Sequence, residues 1–190
     1  MNTPEKIAQA YLRLNGFFTI PHFTVLKDNG THIDFLAVRL GGSVEKVGVA
    51  PNRIPIEIDE KLLSKLDVNE NQTIGLVVEV RGGEIRGERE RVSMEEGKFE
   101  YAESFFGNIS CIKKVGFENN SSSEIIEREG IIIVPIKYCI MCIKERFDRL
   151  SEIEKQLKGS GVLSKEGSWE LSEEFLSDLI YLKKFEGLRS

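Results

Sequence analysis

Two acids stand in segments that are otherwise built for strands. Asp34 lies in THIDFLAVRL, residues 31–40, and Glu79 in GLVVEVRGG, residues 75–83. Charge on a buried strand is costly unless a partner or a cation compensates it. Alternation puts Glu79 and Arg81 on one face, opposite Leu76, Val78 and Val80. The same rule groups Asp34 with His32, Leu36 and Val38, and sets Ile33, Phe35 and Ala37 on the other face. On neighbouring strands the two carboxylates converge. With a strand carbonyl they make an all-oxygen site suited to Mg²⁺ or Mn²⁺. Such a cation polarises a phosphodiester and activates a water. Arg81 points into the same place and stabilises negative charge there. Glu5, in the first helix, is a fourth candidate.

The chain around these residues is an α/β pattern. Thr3 is the expected N-cap of a first helix, with Pro4 in the first turn and a stripe of Ile7, Ala8, Tyr11, Leu12 and Leu14 ending at Asn15-Gly16. Residues 17–26 and 31–40 form the expected hairpin, with Pro21 marking an edge or bulge. Residues 43–73 read as an insertion with a short strand and a short helix. A strand over 74–81 follows. Ser93-Met-Glu-Glu96 matches a capping box for a helix reaching Phe106. Strands over 108–117 and 130–135 come next, the latter apolar enough for a sheet interior. A long helix over 137–158 and an amphipathic closing helix anchored by Trp169 end the chain. Two regions are expected: a core over 1–158 and a helical extension over 159–190 packed on it.

Composition narrows the function classes. A net charge of −5 over 190 residues argues against whole-surface attraction to nucleic acid but leaves room for a local groove. Arg81, Arg86, Arg89 and Arg91 alternate with Glu84, Glu88 and Glu90, so their field largely cancels. No apolar run approaches the roughly 20 residues of a membrane helix, and the N-terminus lacks a secretory pattern. A cytoplasmic location is the expectation. Three cysteines do not make a disulfide scaffold. Cys139 and Cys142 form a C-x-x-C, but Cys139 shares a helical face with Ile136, Ile140 and Ile143, so the pair reads as core-facing. A thiol redox role is the third-ranked class, and zinc has only His22, His32 and Cys111 to draw on. The acid-rich IPIEIDEKL also attracts the eye. There Asp59 and Glu60 read as helix-start acids, and Glu57 and Lys61 as their neighbours, rather than a site.

A first-helix acid, a hairpin with Asp on its second strand, and Glu-x-basic on the third strand resemble the PD-(D/E)XK nuclease superfamily. The resemblance covers residues 3–135. It implies a restriction endonuclease-like αβββαβ core with a mixed central sheet, and C-terminal helices outside it. It also implies divalent-metal-dependent hydrolysis of DNA or RNA, with Asp34 and Glu79 as metal ligands, Arg81 in the place of the motif Lys, and Glu5 as the first-helix acid. The sequence departs from the pattern at Arg81, and also at Ile33, which precedes Asp34 in place of Pro, a departure that many members also show. Arg does not act as a base. The alternative is a non-catalytic interaction or structural module on the same fold, in which these charges are a salt-bridge cluster and Asp34 pairs with Arg39 or Arg13. A homodimer or a protein partner fits either reading.

Overall fold

The computed structural model describes residues 2–25, 31–42, 46–47, 54–55, 58–81, 96–119 and 122–146. The Ser93 capping box, the Arg86–Arg91 run, residues 147–158 and the 159–190 extension with Trp169 lie outside them.

The elements run α1 (Thr3–Leu14), β1 (Phe17–Val25), β2 (Thr31–Arg39), β3 (Lys46–Val47), β4 (Ile54–Pro55), α2 (Glu60–Leu66), β5 (Ile74–Arg81), α3 (Glu96–Ser104), β6 (Ile112–Glu118), β7 (Ile126–Arg128) and β8 (Ile131–Pro135). A further helix, α4, spans 136–146. The fold is α/β with a mixed six-stranded sheet, ordered β1-β2-β5-β6-β8-β7. β1, β2 and β5 are antiparallel, β5, β6 and β8 run parallel, and β7 returns antiparallel on β8. β3 and β4 form a separate two-stranded ribbon inside the expected insertion.

Helices cover both faces, which is why β5 is buried almost throughout. On one face α1 and α4 pack Ile7, Tyr11, Leu12, Cys139 and Ile143 against Phe35, Leu76, Val78, Val80, Phe117 and Val134. On the other, Ala102 and Phe106 close over Ile33, Leu36 and Val77. Gly75 is required there: a Cβ on it would sit 2.9 Å from the Phe106 ring.

Several expectations are corrected. The N-cap of α1 is Asn2, not Thr3. Asn2 has extended φ and ψ, its side chain accepts the Glu5 amide, and Glu5 reaches back to the Asn2 amide, a complete capping box. Thr3 and Pro4 are therefore the first helical residues. β7 was not expected. It is three residues long and sits at the sheet edge, too short to show alternation. Pro21 is at the β1 edge as expected. Its rung with Phe35 is one where the β1 backbone groups face away from β2, so the missing N–H costs no ladder bond.

Candidate functional site

The β2–β5 ladder stops at Phe35↔Val78. The next hydrogen-bonded rung in that register would join Ile33 to Val80. Its place is taken by a side chain: the Val80 amide donates to Asp34 Oδ2 at 2.6 Å. Asp34 therefore points along the sheet toward β5, into the gap where the strands part.

The cause is visible in the hairpin. β1 and β2 keep one register on both sides of His22 and Asp34, with Pro21↔Phe35 before the break and Phe23↔Ile33 after it. The rung between is missing, and His22 has φ +51°, uncommon for a non-glycine residue. Beyond it the hairpin turns over. Phe35 packs with α1, whereas Ile33 and Phe23 join the α3 cluster with Leu36. This corrects the expected grouping of Ile33 with Phe35. This local break in the ladder, without an inserted residue, re-aims a side chain, here Asp34.

Glu79 is 4% exposed and follows Val77 on the α3 side by alternation. Had the β2 register continued, Asp34 would lie directly opposite it. On the other flank Glu79 faces Gly116 of β6, which brings no side chain against it. Arg81 Nη2 lies 3.7 Å from Glu79 Oε2, within ion-pair reach but longer than a hydrogen bond. Its side chain is 37% exposed, while its Nε is shielded from solvent with no hydrogen-bond partner. Beside Arg81 on β6 stands Glu118, 1% exposed, on the same face by parallel register. Sequence reasoning missed Glu118, which ends a strand in KKVGFE like many solvated acids. Only the parallel pairing brings it beside Arg81.

The other candidates fall elsewhere. Glu5 accepts from the backbone and side chain of Asn2, on the helix that packs against the opposite face from Glu79. Arg39 is buried and donates to the Glu70 carbonyl, so the expected alternative of pairing with Asp34 is replaced by the Val80 bond. His32 is exposed and lies 3.3 Å from the Thr24 hydroxyl.

A second polar cluster centres on Asp59, read from sequence as a helix-start acid. It is the N-cap of α2, with Oδ1 accepting the Lys61 and Leu62 amides. Oδ2 accepts the hydroxyls of Tyr11 at 2.6 Å and Tyr138 at 2.8 Å, with Cys142 Sγ at 3.7 Å. The cluster ties α1, α2 and α4 together. Burial, and then the Asp59 carboxylate among other causes, raises the Tyr11 and Tyr138 pKa values. Cys139 is fully buried with a raised pKa, and burial chiefly moves Cys142 up to about 11. All three cysteines are free thiols. Cys139 lies within the core cluster and Cys142 packs against it, as the core reading of the C-x-x-C expects.

Among the described residues no group of three or more His, Cys, Asp or Glu side chains forms a metal-binding set, and no helix is long and apolar enough to cross a membrane. A cation at Asp34 and Glu79 would therefore draw on two carboxylates and a carbonyl. The Val80 carbonyl faces β2 by strand alternation, on the edge β2 has left. Two carboxylates, one carbonyl and waters suit Mg²⁺, which keeps several waters and takes few protein ligands. The oxygen donors thus fit a hard cation.

The chain matches no family model, no curated protein and no solved structure.

Proposed function

We propose that this protein hydrolyses phosphodiester bonds of DNA or RNA at the gap between β2 and β5, with Mg²⁺ or Mn²⁺ held by Asp34 and Glu79. The observation that carries this reading is the Asp34 carboxylate in the place of a backbone rung, on the amide of Val80, the residue that follows Glu79 on β5. The order α1-β1-β2-β5-α3-β6, antiparallel through β5 and parallel from β5 to β6, supports a restriction endonuclease-like core. A bound cation would supply Lewis acidity toward the phosphoryl oxygen. The protein's own groups do the rest. The Val80 amide orients Asp34. Arg81, shielded at Nε and with its side chain 37% exposed, offers donors to the non-bridging oxygens of a phosphate and offsets charge as it develops.

The test is cleavage of labelled single- and double-stranded DNA and RNA in Mg²⁺, in Mn²⁺ and in EDTA, with Asp34→Asn beside wild type. Divalent-dependent cleavage abolished by Asp34→Asn supports the reading. Metal-independent cleavage, or none on any substrate, removes it. The second reading, a non-catalytic module, is favoured by the Glu79–Arg81 ion pair, which neutralises a buried carboxylate without a metal. In that case Mn²⁺ leaves the thermal midpoint unmoved.

A further inference from the structure

We infer that Glu118 is a positioning residue for Arg81: its carboxylate draws the guanidinium away from Glu79 and so favours a cation there. The inference rests on the metal-site reading above and adds to it a residue from a third strand. β5 and β6 stay paired through this point, because Asn119, one residue past β6, donates its amide to the Arg81 carbonyl at 3.2 Å. Glu118 therefore stands level with Arg81 in the parallel register. Val115 and Phe117 pack in the α1 cluster, so alternation turns Glu118 to the α3 side, where Glu79 and Arg81 lie. Of its two sheet neighbours, Arg81 on β5 and Pro135 on β8, only Arg81 carries a charge.

Arg81 thus stands between two acids. Glu79 precedes it by two residues on its own strand, and Glu118 faces it across the ladder. Both acids are buried, at 4% and 1% exposure, so water and salt screen their charge poorly. An arginine and a carboxylate drawn together without an opposing pull close to about 2.7–2.9 Å, often through two parallel bonds. Here the approach stops at 3.7 Å. Nothing on β6 pushes the pair apart, because the residue level with Glu79 is Gly116, which has no side chain. The second acid, on the far flank of the guanidinium, accounts for the gap. A guanidinium closed on Glu79 would compete with a cation for the same oxygens. One drawn toward Glu118 competes less and keeps its donors in reach of a phosphate.

Mn²⁺ affinity of the full-length chain, read by calorimetry without any nucleic acid, tests it. Glu118→Gln keeps the shape of the side chain and removes its charge. It should weaken Mn²⁺ binding at least about tenfold, the lower end of the range for partners that orient a metal's ligands. Glu118→Asp keeps the charge and should bind Mn²⁺ more tightly than Glu118→Gln does. A packing role alone would reverse that order, because shortening a buried side chain disturbs its surroundings more than an isosteric amide. In an Arg81→Ala background, Glu118→Gln should no longer change the affinity, since the residue it acts through is gone. The same loss in both backgrounds overturns the inference, because Glu118 then acts on the cation directly. So does Mn²⁺ binding that Glu118→Gln leaves unchanged. The metal-site reading survives either of those results, whereas a wild type that binds no Mn²⁺ overturns both.

Discussion

The Val80 amide and the Asp34 carboxylate, 46 residues apart, make the bond that a backbone carbonyl would otherwise make between β2 and β5. The acid is thus both a structural acceptor and the candidate cation ligand. Substitutions can separate the two roles. Asn in place of Asp34 keeps an oxygen for the Val80 amide but loses the charge. Asp34→Asn should therefore unfold within about 1 kcal/mol of wild type, near the net value of one hydrogen bond, while losing metal-dependent activity. Asp34→Ala should lose the activity and also about 1–3 kcal/mol, the cost of an orphaned buried amide. Urea unfolding alongside the cleavage assay distinguishes them. Equal stability loss in both variants would show that the charge, not the acceptor, holds the strands.

Asp59 carries a comparable structural load at the other cluster. Asp59→Ala removes an N-cap, worth about 1 kcal/mol, and strips the acceptor from two tyrosine hydroxyls, about 1–3 kcal/mol each when buried. Asp59 is itself half-buried, so water softens the loss, and we expect about 3–5 kcal/mol in all. Asp59→Asn, which keeps the cap and an acceptor, should cost far less. Tyr138→Phe should cost little once Asp59 is gone, a coupling that a double-mutant cycle in urea reads directly.

The same cluster sets an alkaline limit. Tyr11, Tyr138, Cys139 and Cys142 all have folded pKa values raised above their ordinary ones, chiefly by burial. The folded chain then holds these protons more tightly than the unfolded chain does. Their stabilisation is complete below the unfolded values of 9.0 for the thiols and 10.0 for the phenols, and is lost as pH rises toward the folded ones. Stability should begin to fall above pH 9 and fall more steeply above pH 10, where each buried tyrosine adds about 1.4 kcal/mol per pH unit. Tyr138→Phe should flatten the steeper part. A denaturation midpoint constant from pH 8 to 11 would contradict this linkage.

Much of this frame was legible in the sequence. The apolar run of IIIVP announced a strand of the sheet interior, GLVVEVRGG a strand over 74–81, and DEKLLSKL announced α2. What stayed hidden was long-range or irregular. Period-two alternation assumes an unbroken strand, so it could not foresee a hairpin that turns over at His22 and Asp34 while keeping register on both sides. Nor does local pattern link Asp59 to Tyr138, 79 residues on, or Glu118 to Arg81, whose pairing follows from a crossover. Asn2 outcompeted Thr3 as the cap because only the residue three before Glu5 can form the reciprocal box.

Thiol reactivity checks the C-x-x-C directly. Under native conditions near pH 8, Cys139 should not react with a disulfide reagent until the chain unfolds, because it is fully buried. Cys142, with its pKa near 11, should react slowly. Rapid modification of both, or a disulfide formed between them without loss of fold, would restore the redox reading.

Arg81 offers the sharpest probe of the proposed chemistry. A guanidinium does not serve as a general base. Its role in the proposed site is to meet phosphate charge. Arg81→Ala should therefore cut cleavage by roughly 10²–10³, the range seen when one preorganised donor is lost. Arg81→Lys keeps a positive charge on a more compact group, and an ammonium beside Glu79 can pair with it as Arg81 does at 3.7 Å. Most of the activity should survive that change, and an ionisation absent from wild type should enter the profile as Lys loses its proton. Stability supplies the contrast. If Arg81 only neutralises Glu79, then Arg81→Lys and wild type should melt alike while Arg81→Ala melts lower, and none of the three should respond to Mn²⁺. If the cation belongs to the site, added Mn²⁺ should recover part of the stability lost in Arg81→Ala, because it supplies the missing positive charge beside Glu79.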